Sequence, residues 1–147
     1  LVRYLPDLQD LTVITNALNI TNLLSSNPNI NLIIPGGYLR KNSLSLVGPL
    51  AEKNLLNFNV DKVFLGVDGF DTKQGIYTPN MEEARLNEIM IQISREVIVL
   101  ADSSKFVKRS LAFICDLSHI DKVITDSNIS PEDKKRLIDA GVEVIIV

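Results

Sequence analysis

The chain has 147 residues, of which 46% are hydrophobic and 22% charged, with a formal net charge of −3 and a pI near 5.1. That length and composition fit one globular α/β domain with a sizeable core. Lys and Arg are scattered rather than gathered into a basic stretch, which argues against this segment as a DNA-contacting surface.

The elements follow in chain order. Leu1-Val2-Arg3-Tyr4-Leu5-Pro6 reads as the end of a helix, and with no initiating Met it raises the expectation of a fragment lacking its N-terminal part. Leu11 to Thr15 is predicted as a strand. Ala17 to Ser25 follows as a helix, with Leu18, Leu23 and Leu24 available to the core. Asn16, between the two, reads first as an N-cap and second as a strand-end ligand contact. Ile30 to Ile34 is a second strand, stopped by Pro35-Gly36-Gly37, which has the form of a type II turn. Arg40 beyond it is either an anion contact or a surface charge. Ser43 to Val47 is predicted extended, and Gly48-Pro49 opens a helix to about Asn57.

Lys62 to Val67 is the next strand. A helix is predicted from Thr78-Pro79 to about Arg95, with Leu86, Ile89, Met90 and Ile93 at the spacing of a buried face. Glu96 to Leu100 is a strand, Leu111 to Cys115 is extended, and Lys122 to Thr125 is a short strand. Ser130-Pro131-Glu132-Asp133 opens a helix that ends at Gly141, and Val142 to Val147 is a last strand. Short apolar strands separated by helices predict an α/β fold. Its sheet is mainly parallel and Rossmann-like, with helices on both faces, in a single compact unit over 1–147.

Two strand-end motifs carry the polar chemistry. Lys62-Val63-Phe64-Leu65 leads into Gly66-Val67-Asp68-Gly69-Phe70-Asp71, and Val97-Ile98-Val99-Leu100 leads into Ala101-Asp102-Ser103-Ser104-Lys105. Loops leaving the carboxyl ends of parallel strands are where open α/β sheets bind ligands. Asp68-Gly69 is a common turn dipeptide. Gly69 would also let the backbone approach a ligand, and Asp71 adds a second carboxylate suited to hydroxyl recognition. Lys105 is either a solvated lysine or a phosphate or carboxylate contact. Glu82 and Glu83 complement a helix N-terminus, and one of them could turn inward.

Cys115 excludes an internal disulfide and a Cys-x-x-Cys metal site, points to a reducing compartment, and reads as a small buried side chain. His119 stands without a Cys or His partner, and neither GxGxxG nor GxxxxGK[ST] occurs, so no metal or nucleotide cofactor is expected. No apolar run approaches the length needed to span a bilayer.

The order of motifs resembles a known family. Thr12-Val13-Ile14-Thr15-Asn16 is followed by Pro35-Gly36-Gly37-Tyr38-Leu39-Arg40 and Leu46-Val47-Gly48-Pro49. Then come Phe64 to Asp71, Gly75-Ile76-Tyr77-Thr78-Pro79, Glu83-Ala84, Leu100 to Phe106, Ile124-Thr125-Asp126 and Gly141 to Ile145. Over nearly its whole length the chain resembles the C-terminal effector-sensing domain of the DeoR family of bacterial transcriptional regulators. The resemblance implies a fold like that of ribose-5-phosphate isomerase and the CoA transferases, and a sensor for a phosphorylated sugar or related metabolite. It also implies a cytoplasmic homo-oligomer and an N-terminal winged helix-turn-helix, preceding this chain, that contacts operator DNA. Carried over residue by residue, Asp68, Asp71 and Lys105 become ligand contacts; beside them Glu83, and by their own place in the strand-end loops Gly69, Asn16, Gly36, Gly37 and Arg40, are candidate ligand contacts. Glu83 becomes the inward-facing acid.

The family's first strand and phosphate-binding loop are expected N-terminal to Leu1. The glycine-rich stretch of the isomerases is reduced here to Gly75-Ile76. The first departure leaves part of the expected ligand site outside this chain, and the second weakens catalysis and favours a sensor. A sugar-phosphate isomerase using Asp71 or Glu83 as base is the alternative, and a scaffold that only oligomerises is another.

Overall fold

Apolar β-branched runs form the strands of this chain because their side chains pack well on a pleated surface. The computed structural model describes residues 2–8, 10–106 and 108–147. These fall into two compact units, Leu1–Asn57 and Phe58–Val147. Each is taken by itself.

The first unit opens with a 3-10 turn, Val2–Asp7, where the end of a helix was expected. Leu1, the first residue of that expected segment, lies outside the described residues. Strands β1 (Leu11–Ile14) and β2 (Ile30–Ile33) pair in parallel, Leu11 opposite Ile30 and Ile14 opposite Ile33. Helix α1 (Leu18–Leu24) connects them and buries Leu24. Leu23, expected in the core, is 58% exposed. Successive helical residues point about 100° apart, so a helix two turns long that turns Leu24 inward turns Leu23 out. Strands β3 (Tyr38–Arg40) and β4 (Ser45–Val47) form an antiparallel hairpin, of which only the second arm was legible. Helix α2 (Pro49–Leu55) follows with Pro49 in its first turn. Its N-cap, Gly48, has φ +98°, and a Cβ there would lie 2.5 Å from the Tyr38 ring.

The second unit contains β5 (Val60–Gly66), β6 (Gly69–Asp71), β7 (Gly75–Thr78), α3 (Met81–Gln92), β8 (Ser94–Leu100), β9 (Ala112–Cys115), β10 (Lys122–Thr125), α4 (Pro131–Asp139) and β11 (Glu143–Ile146). Four strands make a parallel sheet in the order β11-β10-β8-β5. Successive residues Val97, Ile98 and Val99 of β8 are all buried, so this strand is covered on both faces, as the uninterrupted apolar run predicted. Leu65, Val99, Val123 and Leu137 sit in the core with Phe70 and Phe106, whose ring centres are 4.9 Å apart. Each such side chain contributes about 1.5–3 kcal/mol by leaving water.

Two features differ from expectation. Helix α3 begins at Met81 rather than Thr78, because Asn80 caps it: Asn80 Oδ1 accepts from the backbone N–H of Glu82 at 3.1 Å and of Glu83 at 2.9 Å. Pro79 disfavours helical backbone at Thr78, which ends β7 instead. Leu86 and Ile89 are buried as predicted, while Met90 and Ile93 are half-buried. The second difference is an antiparallel sheet, β6-β7-β9, whose first two strands come from segments read as loop and helix start, while β9 is the segment expected to be extended. Gly75, at φ +139°, permits it: a Cβ there would stand 2.0 Å from the Cys115 carbonyl oxygen.

Cys115 is buried, and burial pushes its thiol up to about 12, which leaves it inert as a nucleophile at neutral pH. Helix α4 starts as its sequence specifies: Ser130 Oγ accepts from Asp133 N–H at 3.0 Å and donates to Asp133 Oδ2 at 2.7 Å. Among the described residues no helix is long and apolar enough to cross a membrane.

Candidate functional site

Strand register decides which loops share a rim. Gly66 of β5 lies opposite Leu100 of β8, and Leu100 lies opposite Ile124 of β10. The three strands therefore end level, and the chains leaving them begin about 5 Å apart from neighbour to neighbour. Val67-Asp68, Ala101-Asp102 and Thr125-Asp126 line one edge of the second unit, the edge at which open α/β sheets place ligands.

Asp68 is exposed there, and its backbone N–H donates to the Tyr77 carbonyl at 3.3 Å, which ties it to β7. The buried hydroxyl of Thr78 lies 3.3 Å from Asp68 Oδ2 and 3.1 Å from Glu83 Oε2. Two carboxylates from different elements thus meet on one hydroxyl. Ionised carboxylates only accept, and Thr78 has one proton to give. The arrangement therefore keeps acceptor capacity for donors such as the hydroxyls of a polyol. Glu83 Oε2 faces the Thr78 hydroxyl at the end of β7, and its position at the start of α3 is set by the Asn80 cap.

Asp71 sits at the turn of the β6–β7 hairpin with both oxygens engaged. Oδ1 accepts from Lys73 N–H at 2.9 Å and Oδ2 from Arg109 Nε at 2.7 Å. Desolvation alone would raise this carboxyl, but the Lys73 N–H and the Arg109 guanidinium outweigh it and hold it below the usual carboxylate range. Asp71 is thus one half of an ion pair.

At Gly69 a Cβ would lie 2.4 Å from the Lys108 carbonyl oxygen, so the glycine permits close packing of two backbone segments.

Lys105 closes a short 3-10 turn, Ser103–Lys105, whose geometry is fixed by two acids. Asp102 Oδ1 accepts from Ser104 N–H at 2.9 Å, and Asp126 Oδ2 accepts from Ser103 N–H at 2.7 Å. Hydrogen bonds from Ser104, helped by the charge of Lys105, hold Asp102 low, and the N–H groups of Ser103 and Asn128 hold Asp126 low. Both acids are accordingly turn-holders, and they bind the loop after β8 to the loop after β10. Lys105 itself is half-buried and forms no ion pair among the described residues.

The remaining candidates belong to the first unit. Asn16 does not cap α1, whose N-cap position is Ala17, extended and without a side-chain bond. Asn16 Nδ2 donates instead to the Leu46 carbonyl at 3.1 Å, and its own carbonyl accepts from Leu46 N–H at 2.8 Å, joining the end of β1 to β4. Gly36 has φ +80°, but the backbone over residues 34–37 forms neither a turn nor a bend, where a type II turn was expected. Gly37, at φ +106°, packs where a Cβ would meet the Val47 carbonyl oxygen at 2.4 Å. Arg40 Nη1 donates to Ser43 Oγ at 3.2 Å across the β3–β4 turn.

Thr78, Arg109 and Asp126 are the site residues that sequence reading passed over. Asp126 carries a usable signal, an acid directly after a strand, like Asp68 and Asp102. Thr78 and Arg109 act across the fold and carry none.

Residues 1–127 match the family model described as the DeoR C-terminal sensor domain. The chain is 42% identical over 138 residues, 94% of its length and 51% of the relative's, to a putative aga operon transcriptional repressor of Escherichia coli O157:H7. It is 41% identical over 147 residues, 100% of its length and 57% of the relative's, to the uncharacterized HTH-type transcriptional regulator YulB of Bacillus subtilis. To the HTH-type transcriptional regulator GlpR of Haloferax volcanii it is 35% identical over 132 residues, 90% of its length and 51% of that protein. The chain spans about half the length of these curated relatives.

Proposed function

The chain belongs to the DeoR C-terminal sensor-domain family, and from that premise we propose that it recognises a phosphorylated sugar or related metabolite on behalf of a transcriptional repressor. The observation that carries this reading is the meeting of Asp68 and Glu83 on the Thr78 hydroxyl, at a rim shared with the Lys105 turn. Asp68 and Glu83 accept sugar hydroxyls, and Lys105, without an ion pair among the described residues, supplies the charge for an anionic group. Asp71 contributes through its pair with Arg109. Within the first unit, Asn16, Gly36, Gly37 and Arg40 stand as candidate ligand contacts of their own. Gly69 supports the loop from behind.

The relatives named above are transcriptional regulators, which favours sensing over catalysis, and Asp71, held as an ion pair, is poorly placed to act as a base. DNA binding is assigned to a helix-turn-helix elsewhere in the intact protein, since this chain is acidic. The regulator is cytoplasmic and homo-oligomeric in this reading, and effector binding shifts it between DNA-competent and DNA-released arrangements. Such couplings are typically worth about 1–3 kcal/mol. A thermal-shift screen of the intact protein against sugar phosphates tests the reading. An isomerase would instead interconvert an aldose phosphate and a ketose phosphate in a coupled assay, with loss of turnover in Asp71→Asn.

A further inference from the structure

Beside the turn of the β6–β7 hairpin the second unit has a polar cleft of about 450 Å³, within the range of small-molecule sites. Four cations line it, Lys73, Lys108, Arg109 and Arg136, against two acids, Asp71 and Asp133. This surplus of positive charge stands out in a chain whose net charge is −3. The buried rings of Phe70 and Phe106 form part of its wall and give it a rigid apolar backing.

Both acids are already committed. Asp71 accepts from Arg109 Nε at 2.7 Å. Asp133 accepts from Thr72 Oγ1 at 2.8 Å and Ser130 Oγ at 2.7 Å, and lies 3.8 Å from Arg136 Nη1. Arg136 is paired with Glu132 as well. The carboxylates therefore hold the two guanidinium groups in place. Neither Lys73 nor Lys108 forms an ion pair among the described residues, so their ammonium charges remain to be met.

We propose that this cleft binds a phosphate group. Lys73 and Lys108 act as its charge partners, and Arg109, oriented by Asp71, donates its remaining N–H groups in the planar geometry that suits phosphate oxygens. The cleft volume leaves room for a small molecule carrying that phosphate. The site goes beyond the contacts proposed at Asp68, Glu83 and Lys105 and does not depend on them.

The test is calorimetric titration of the intact protein, at low ionic strength, with inorganic phosphate and with pyrophosphate. Wild type binds, and the double variant Lys73→Ala/Lys108→Ala binds at least tenfold more weakly. Lys134→Ala/Lys135→Ala, which removes equal charge from α4 outside the cleft, binds like wild type. All these variants retain their fold by circular dichroism, since Lys73 and Lys108 are exposed. A sugar phosphate titrated into the same proteins separates two sources of the group. Weaker binding in Lys73→Ala/Lys108→Ala shows that the effector's own phosphate occupies the cleft, and unchanged binding shows a separate anion there. The proposal is overturned if wild type binds neither inorganic probe, or if the cleft variant binds them as tightly as wild type. Either result leaves the contacts at Asp68 and Lys105 to stand or fall on their own variants.

Discussion

Thr78 Oγ1 lies 3.1 Å from Glu83 Oε2, a contact that ties the last residue of β7 to the first turn of α3 and aims that acid at the strand end. With Asp68 Oδ2 3.3 Å from the same hydroxyl, one buried donor organises both acids. Thr78→Val keeps shape and removes the donor, so it costs about 1 kcal/mol of stability. Thr78→Ser recovers most of that. Urea unfolding of the two variants measures it, and equal stability of Thr78→Val and wild type would contradict the arrangement.

The hydroxyl of Thr125 presents the opposite case. It is buried at the end of β10 and has no hydrogen-bond partner among the described residues. A buried, unpaired hydroxyl is costly, and Val fits a strand as well as Thr does. Thr125→Val therefore stabilises the fold by up to about 1 kcal/mol, seen as a rise in melting temperature. A fall would show that the hydroxyl has a task.

The Asp71–Arg109 pair predicts a pH dependence. Asp71 has a depressed folded-state value, so its contribution is present above its unfolded value of about 3.9 and is lost as pH falls through the folded value. The stability difference between wild type and Arg109→Ala is then constant from pH 7 to about 5 and shrinks below about pH 4. Urea titrations at several pH values measure that difference, and growth on acidification would refute the pairing.

What the sequence revealed follows from where the information lies. Strand β8 was legible because burial on both faces makes an unbroken apolar run, Val97 to Leu100. Helix α4 was legible from Ser130-Pro131 and Gly141, whose roles are local. The β6-β7-β9 sheet was not, because β6 has three residues and β9 joins β7 from more than thirty residues on. Asn16 and Gly69 were read by local preference, as cap and ligand approach, whereas their partners are the distant backbones of Leu46 and Lys108. Asp68 and Glu83 could each be singled out as acids. Their meeting on Thr78 depends on β7 folding back beside Asp68 and on α3 packing against β5, which no spacing encodes.

The central claim is effector recognition at the strand ends, and the most direct measurement is the melting temperature of the intact protein across a panel of sugar phosphates. At about 100 times its dissociation constant, the effector stabilises by roughly 2.7 kcal/mol. Most of that shift disappears in Asp68→Asn and in Lys105→Ala. The account is contradicted if no sugar phosphate or related metabolite moves the transition, or if both variants keep the full shift.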